Sequence, residues 1–224
     1  MTRPERYHHG DLREALLAAA LEAIERDGAA AVSLRQLARK VGVSHAAPAH
    51  HFQDRTGLFT ALAARGFSIL DDRLRRAVAA APDRPHARLA ASGKAYVMFA
   101  AEHPAYFAVM FRPDLLQRED PALKAASQRA AAVLREAIAE NRGSRPSGDP
   151  DLALESLKAW THAHGLATLW LNGNLSPDMA PDGIAALADR LFGIDAADAG
   201  CYDGRVSEKA GSSAQRSDSE ARRG

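Results

Sequence analysis

An all-α protein is predicted by three observations. Ala dominates a hydrophobic fraction of 46%. Ala and Leu favour helix, while the β-branched residues that favour strands are scarce. Apolar residues also recur at three- and four-residue spacings through segment after segment, which is the helical period.

The helices follow in order. Residues 1 to 9 are polar and basic, with Arg3, Arg6, Tyr7, His8 and His9, and read as a flexible arm. A long amphipathic helix starts near Gly10, with Leu12, Leu16, Ala20 and Ile24 four residues apart, and Gly28 after Asp27 ends it. Ser33-Leu34-Arg35-Gln36 has the form of a capping box, in which the Ser hydroxyl and the Gln side chain satisfy the first free amides. The helix it opens carries Leu34, Leu37, Ala38 and Val41 on one stripe and stops at Gly42. Val43 is expected to pack between this helix and the next, and Ser44 to cap that next helix. Pro48 lacks an amide hydrogen, so a tight, 3₁₀-like opening turn is expected there. Asp54-Arg55-Thr56-Gly57 reads as a turn, followed by a helix from about Leu58 to Ala80.

Ala81-Pro82-Asp83-Arg84-Pro85 breaks that helix and is a candidate domain boundary. Further helices are expected at about 87–102 and 122–141. A short one between them carries Tyr106, Phe107, Met110 and Phe111. A Gly/Ser/Pro loop at 142–150 separates these from helices at about 152–171 and 182–192. Residues 196–224 have the composition of a disordered tail.

Composition narrows the function. The formal net charge is +1, and residues 1–60 carry eight Lys/Arg against seven Asp/Glu. No bulk basic field announces nucleic acid, so a DNA contact must come from local clusters, helix N-termini and shape. Cys201 is the lone cysteine and reads as an incidental thiol. No signal peptide and no bilayer-spanning apolar run is present, so a cytoplasmic protein without membrane contact is expected. The histidines lack partners at ligand spacing, so neither a metal nor a cofactor is expected.

Two short helices joined by Gly42-Val43-Ser44, with an apolar helix before them, form a helix-turn-helix pattern. Leu34-Arg35-Gln36-Leu37-Ala38-Arg39-Lys40-Val41-Gly42-Val43-Ser44, then Pro48, His51-Phe52 and Asp54-Arg55-Thr56-Gly57-Leu58, resemble the DNA-binding domain of the TetR (tetracycline-repressor) family. Tyr7-His8-His9-Gly10-Asp11-Leu12-Arg13 resembles the opening of one branch of that family. Trp160 with His164-Gly165-Leu166-Ala167 is similar to its Trp-His-Gly type of C-terminal domain. The resemblance implies about nine helices in an Ω-shaped homodimer. A helix-turn-helix domain would span 1–60, with the motif at about 33–52, and a ligand-binding and dimerisation domain would span 61–195. It also implies a double-stranded, pseudo-palindromic operator as partner. Carried over by position, the DNA-contacting residues are Ser33, Arg35, Gln36, Ser44, His45, Ala46, Pro48, His50, His51 and Arg55. The chain departs from the family at Ala49, where a phosphate-binding Tyr is common.

In the second region Phe99, His103, Tyr106, Phe107, Met110, Trp160 and His164 are candidates to line an effector cavity, with Phe111 and Trp170 beside them. Apolar walls with a few polar groups suit a small, largely apolar or aromatic molecule. Leu157, Ala167, Leu171, Ile184, Leu187 and Leu191 form a stripe on the last two helices that suits a dimer interface. The expected function is a transcriptional regulator, in the repressor mode, released from DNA by its effector. Two rivals stand beside it. One is a ligand-independent DNA binder whose C-terminal domain is purely structural. The other is an enzyme using His103, His162 or His164 as a base, for which the sequence offers no nucleophile, carboxylate pair or glycine-rich phosphate loop.

Overall fold

The structure, a computed structural model, describes residues 9–84, 86–142 and 150–193, and these are helical with no strand. Among the described residues nine α-helices run α1 (His9–Asp27), α2 (Leu34–Val41), α3 (Ala47–Phe52), α4 (Arg55–Ala80), α5 (Ala87–Glu102), α6 (Pro104–Met110), α7 (Pro121–Arg142), α8 (Pro150–Leu171) and α9 (Gly183–Phe192). Short 3₁₀ turns at Ala29–Ala31 and Pro113–Leu115 join α1 to α2 and α6 to α7. The expected arm before His9, Cys201 and the expected tail lie outside the described residues.

The head of the molecule is α1 to α3 with the start of α4. Leu16, Leu17, Ala20 and Ile24 bury one face of α1 against Val32, Leu37, Phe52, Leu58 and Phe59. Gly42 takes the left-handed conformation that ends α2 (φ 79°), and the Val43 amide reaches back to the Ala38 carbonyl at 2.9 Å. This closure needs a residue without a Cβ penalty at Gly42.

Three local expectations need correction. Ser33 sits at the N-cap of α2, but its hydroxyl makes no capping bond, so the capping box is not closed. The third helix begins at Ala47, not beside Ser44; the Ser44 carbonyl accepts from the Ala47 amide at 3.0 Å and the Ala46 carbonyl from the Ala49 amide at 3.1 Å. Both bonds span three residues, so the entry before Pro48 is a tight turn of 3₁₀ type. Asp54-Arg55-Thr56-Gly57 is not a separate turn. Asp54 caps α4 by accepting from the Gly57 amide at 2.8 Å, and the next three residues are its first turn.

The body is built around α4, which packs on α5, α6 and α7. After the break that begins at Ala81, α5 packs back on α4 within one bundle. The main hydrophobic core runs from Leu16 through Ala188, and a small second cluster of Ile138, Ala139 and Leu152 lies beside it. Two ion pairs bind its layers. Lys94 on α5 meets Asp189 on α9 at 2.6 Å, with both side chains largely buried. Arg73 on α4 meets Glu102 on α5 at 2.7 Å. The expected dimer stripe divides: Ala167 and Ile184 are buried in the chain's own core, whereas Leu157 and Leu191 are exposed.

A Cβ added at Gly57 would stand 2.0 Å from the Phe52 carbonyl oxygen. That oxygen belongs to the backbone and cannot step aside cheaply. Gly57→Ala should therefore lower the urea unfolding midpoint, by a stability loss of about 1–3 kcal/mol.

Candidate DNA-binding face and effector cavity

The helix-turn-helix presents one solvent face. Arg35, Gln36 and Arg39 on α2 are exposed, and so are Ser44, His45 and Ala46 in the turn and Ala49 and His50 on α3. Ser33 is half-buried at the start of α2. The open α2 N-terminus carries partial positive charge and uncapped amides, which is a setting for a phosphate oxygen. Three of the sequence-derived DNA contacts lie apart from this face. Pro48 is fully buried, because it packs the inner side of α3. Half-buried, His51 lies against Phe52 with ring centroids 6.2 Å apart and faces a polar cleft shared with Arg13 and Arg65. Arg55 donates to the Ala29 carbonyl at 2.8 Å and stacks over Phe59 at 5.1 Å, which ties α4 to the turn after α1.

The body carries a cavity of about 770 Å³, partly open to solvent, between α4, α5, α7, α8 and α9. Its wall is largely apolar: Leu70 and Leu74 from α4, Leu89 and Ala90 from α5, Ala130 and Leu134 from α7, and Phe192 from α9. Size and lining fall within the range of small-molecule sites. Of the seven sequence-derived effector residues, Trp160 lies on this wall. Phe99, Tyr106, Phe107 and Met110 are buried in the core, and His103 joins α5 to α6 with its ring 5.2 Å from Phe99. His164 sits one layer behind the wall, stacked on Phe107 at 5.2 Å and edge-on to Phe111 at 4.8 Å.

A hydrogen-bonded relay joins that layer to the cavity. The Trp160 Nε1–H donates to the Tyr96 hydroxyl at 3.3 Å, and Tyr96 Oη stands 2.8 Å from His164 Nδ1. Trp160 can only donate, so the Tyr96 oxygen accepts from it, and the direction of the Tyr96–His164 bond follows the His164 tautomer. Burial pushes the Tyr96 hydroxyl far up and the His164 imidazole down, each favouring the neutral form. Burial also lowers His103, with Arg73 adding to the effect and Glu102 and Glu25 opposing it.

Sequence reasoning gathers the aromatic residues but not the wall they support. Phe67, Leu70 and Leu74 on α4, and Tyr96, Arg135 and Phe192, do not appear in it as site residues. The available signal was on α7, where Arg135 follows Gln128, Ala131 and Leu134 along one helical face.

Comparison with known proteins agrees with this architecture. Residues 16–62 match the model of bacterial regulatory proteins of the tetR family, and residues 89–193 match the tetracyclin repressor-like C-terminal domain. The chain belongs to the TetR family of transcriptional regulators and carries its DNA-binding domain. A protein of unknown function from Rhodococcus sp. RHA1 is 38% identical with a TM-score of 0.70, over 84% of this chain and 95% of that one. The TetR-family transcriptional regulator PfmR from Thermus thermophilus shares the fold at 19% identity and TM-score 0.59, over 80% of this chain and 95% of that one. AibR, whose structure is a complex with isovaleryl coenzyme A and operator DNA, shares it at 19% and 0.57, over 82% and 97%. No curated protein sequence matches the chain.

His103 and His164 hold fewer protons folded than unfolded below the ordinary histidine value of 6.5. Stability is then fullest above that value and falls as pH drops through it. Thermal unfolding should move down by a few degrees between pH 7 and pH 5, at about 2–4 °C per kcal/mol. A His103→Gln/His164→Gln variant should show a flatter profile across the same interval.

Proposed function

We propose that this protein is a homodimeric repressor that leaves its operator when a small, largely apolar or aromatic effector enters the cavity. The observation that carries the reading is α4. Its first turn is locked to the end of α3 by the Asp54 cap and the Gly57–Phe52 approach, and its later turns supply Phe67, Leu70 and Leu74 to the cavity wall. A ligand that displaces that wall moves the same helix that holds the DNA-reading helix. The coupling is reciprocal: whatever the ligand takes from DNA affinity, DNA takes from ligand affinity. The functional head is residues 1–60 and the regulatory body 61–195, with α4 crossing between them.

Arg35, Gln36, Ser33 and the α2 N-terminus serve phosphates, while Ser44, His45, Ala46 and His50 face base edges. Neutral His donates or accepts at a base edge, and protonated His attracts phosphate. Two heads about 34 Å apart read a pseudo-palindrome. The apolar side chains left outward on α8 and α9, Leu154, Leu157, Leu169 and Leu191, supply a self-complementary face for the second copy. A ligand-independent regulator is disfavoured by the size of the cavity, which a purely structural domain would fill with side chains. AibR, with both a small molecule and DNA in one structure, supports a two-ligand reading of the shared fold.

Two experiments test this. A shift assay on the DNA upstream of the protein's own coding region should give a discrete complex at moderate salt, and its absence would overturn the operator reading. Arg35→Ala should weaken that complex for every sequence and make its salt dependence shallower by roughly one unit per contact. A loss confined to certain base changes would contradict the phosphate role. Leu154→Glu/Leu169→Glu should convert the dimer to a monomer in light scattering, without loss of helical signal.

A further inference from the structure

The cavity has two unlike ends. One is aromatic: Phe67 and Phe111 lie edge to face at 5.5 Å, the Phe111 and Trp160 rings are tilted at 6.2 Å, and Tyr96 joins them. At the other, Leu89, Leu134 and Ala159 pack on the same small cluster of Ile138, Ala139 and Leu152. Beside them the wall turns polar, with Arg135 on α7, His86 at the head of α5 and Ser156 on α8. His86 is fixed there by Asn141, which accepts from the His86 amide at 3.0 Å and donates to its Nδ1 at 3.1 Å. A ring nitrogen that accepts leaves the proton on Nε2, so His86 offers a donor.

The charge of this wall is one-sided. It contains Arg135 and no Asp or Glu. Arg73, Arg75 and Arg88 of the body are paired with carboxylates, with Glu102, Asp71 and Glu140 in turn, and Arg76, Arg118 and Arg190, which lack such a partner among the described residues, are exposed. Among the described residues Arg135 has no such partner, although it is half-buried beside apolar side chains. A guanidinium is the side chain best shaped for two-pronged recognition of a carboxylate, and low-dielectric surroundings strengthen that bond.

We propose that the effector is an amphiphilic organic acid, with its carboxylate on Arg135 and its apolar tail or ring against Phe67, Phe111 and Trp160. This rests on the reading of the cavity as the effector site and adds the charge and orientation of what enters it. His86 Nε2–H is placed to add a donor to the same head group, while the Ser156 hydroxyl is spent on the Leu152 carbonyl at 2.7 Å. Chain acids and aryl acids share this chemistry, and the test separates them.

The experiment is displacement of a neutral fluorescent probe, N-phenyl-1-naphthylamine, from the full-length protein. Competitors come in matched sets: decanoate, decanol and decyltrimethylammonium for the chain, and hydrocinnamate with 3-phenylpropanol for the ring. In the wild type the acid of at least one set should displace the probe at about one-tenth the concentration of its alcohol or less, and the ammonium compound should be the poorest of its set. The set with the larger preference identifies chain or ring. Arg135→Gln should remove the preference while leaving displacement by the alcohols within about twofold of wild type, and Arg135→Lys should restore part of it. Equal potency of acid and alcohol in the wild type would overturn the assignment and leave the cavity reading standing. An acid preference unchanged in Arg135→Gln would overturn the role of Arg135 in the same way. Failure of the probe and of every competitor to bind would bring down the effector-site reading, and this inference with it.

Discussion

The contact between Gly57 and the Phe52 carbonyl is the constraint on which the rest of the molecule hangs. α3 is only six residues long, too short to hold itself as a helix in water. It is kept in place by the burial of Pro48 and Phe52 and by the abutting first turn of α4. Because α4 then continues unbroken for 26 residues, the orientation of α3 is set by a helix whose far half lines the cavity. Arg55 strengthens the joint from the side by binding the turn after α1. An arginine that sequence position assigns to a phosphate is thus engaged within the fold.

The aromatic cluster and the cavity divide their work. Trp160, Tyr96 and His164 form a chain of donors and acceptors running inward from the wall, and Phe107 closes it from behind. The ring system gives the cavity a rigid end, since each ring is held by at least one other. Polar atoms in that layer are satisfied by one another, which is the condition for burying them at all. The rest of the lining adds one arginine, Arg135, and no carboxylate.

Most of the fold was legible because helical periodicity and stop signals are local. Leu16, Ala20 and Ile24 mark a buried face without any knowledge of what covers it, and Gly42 and His103-Pro104 mark ends. What was not legible depends on which faces meet. Ser33 has the right residue and spacing for a capping box, yet its hydroxyl makes no such bond. Asp54 reads as part of a turn because Gly57 looks like a breaker, whereas the close approach to Phe52 requires a glycine inside a helix. In the site, aromatic residues near one another in sequence were a fair guide to the core but not to the void beside it. A cavity is defined by the side chains that fall short of one another, such as Ala130 and Ala131, and shortfall leaves no pattern in a single helix.

The unbroken core from Leu16 to Ala188 has a thermodynamic consequence. Head and body share apolar contacts along α1, α4 and α6, so neither can melt and leave the other's packing intact. Such a molecule unfolds as one cooperative unit, and free energy added anywhere in it is felt everywhere. A small molecule at a hundred times its dissociation constant adds about 2.7 kcal/mol to the whole transition. The helix-turn-helix domain is therefore made harder to unfold by whatever binds in the body: occupancy at one end of the molecule is durability at the other.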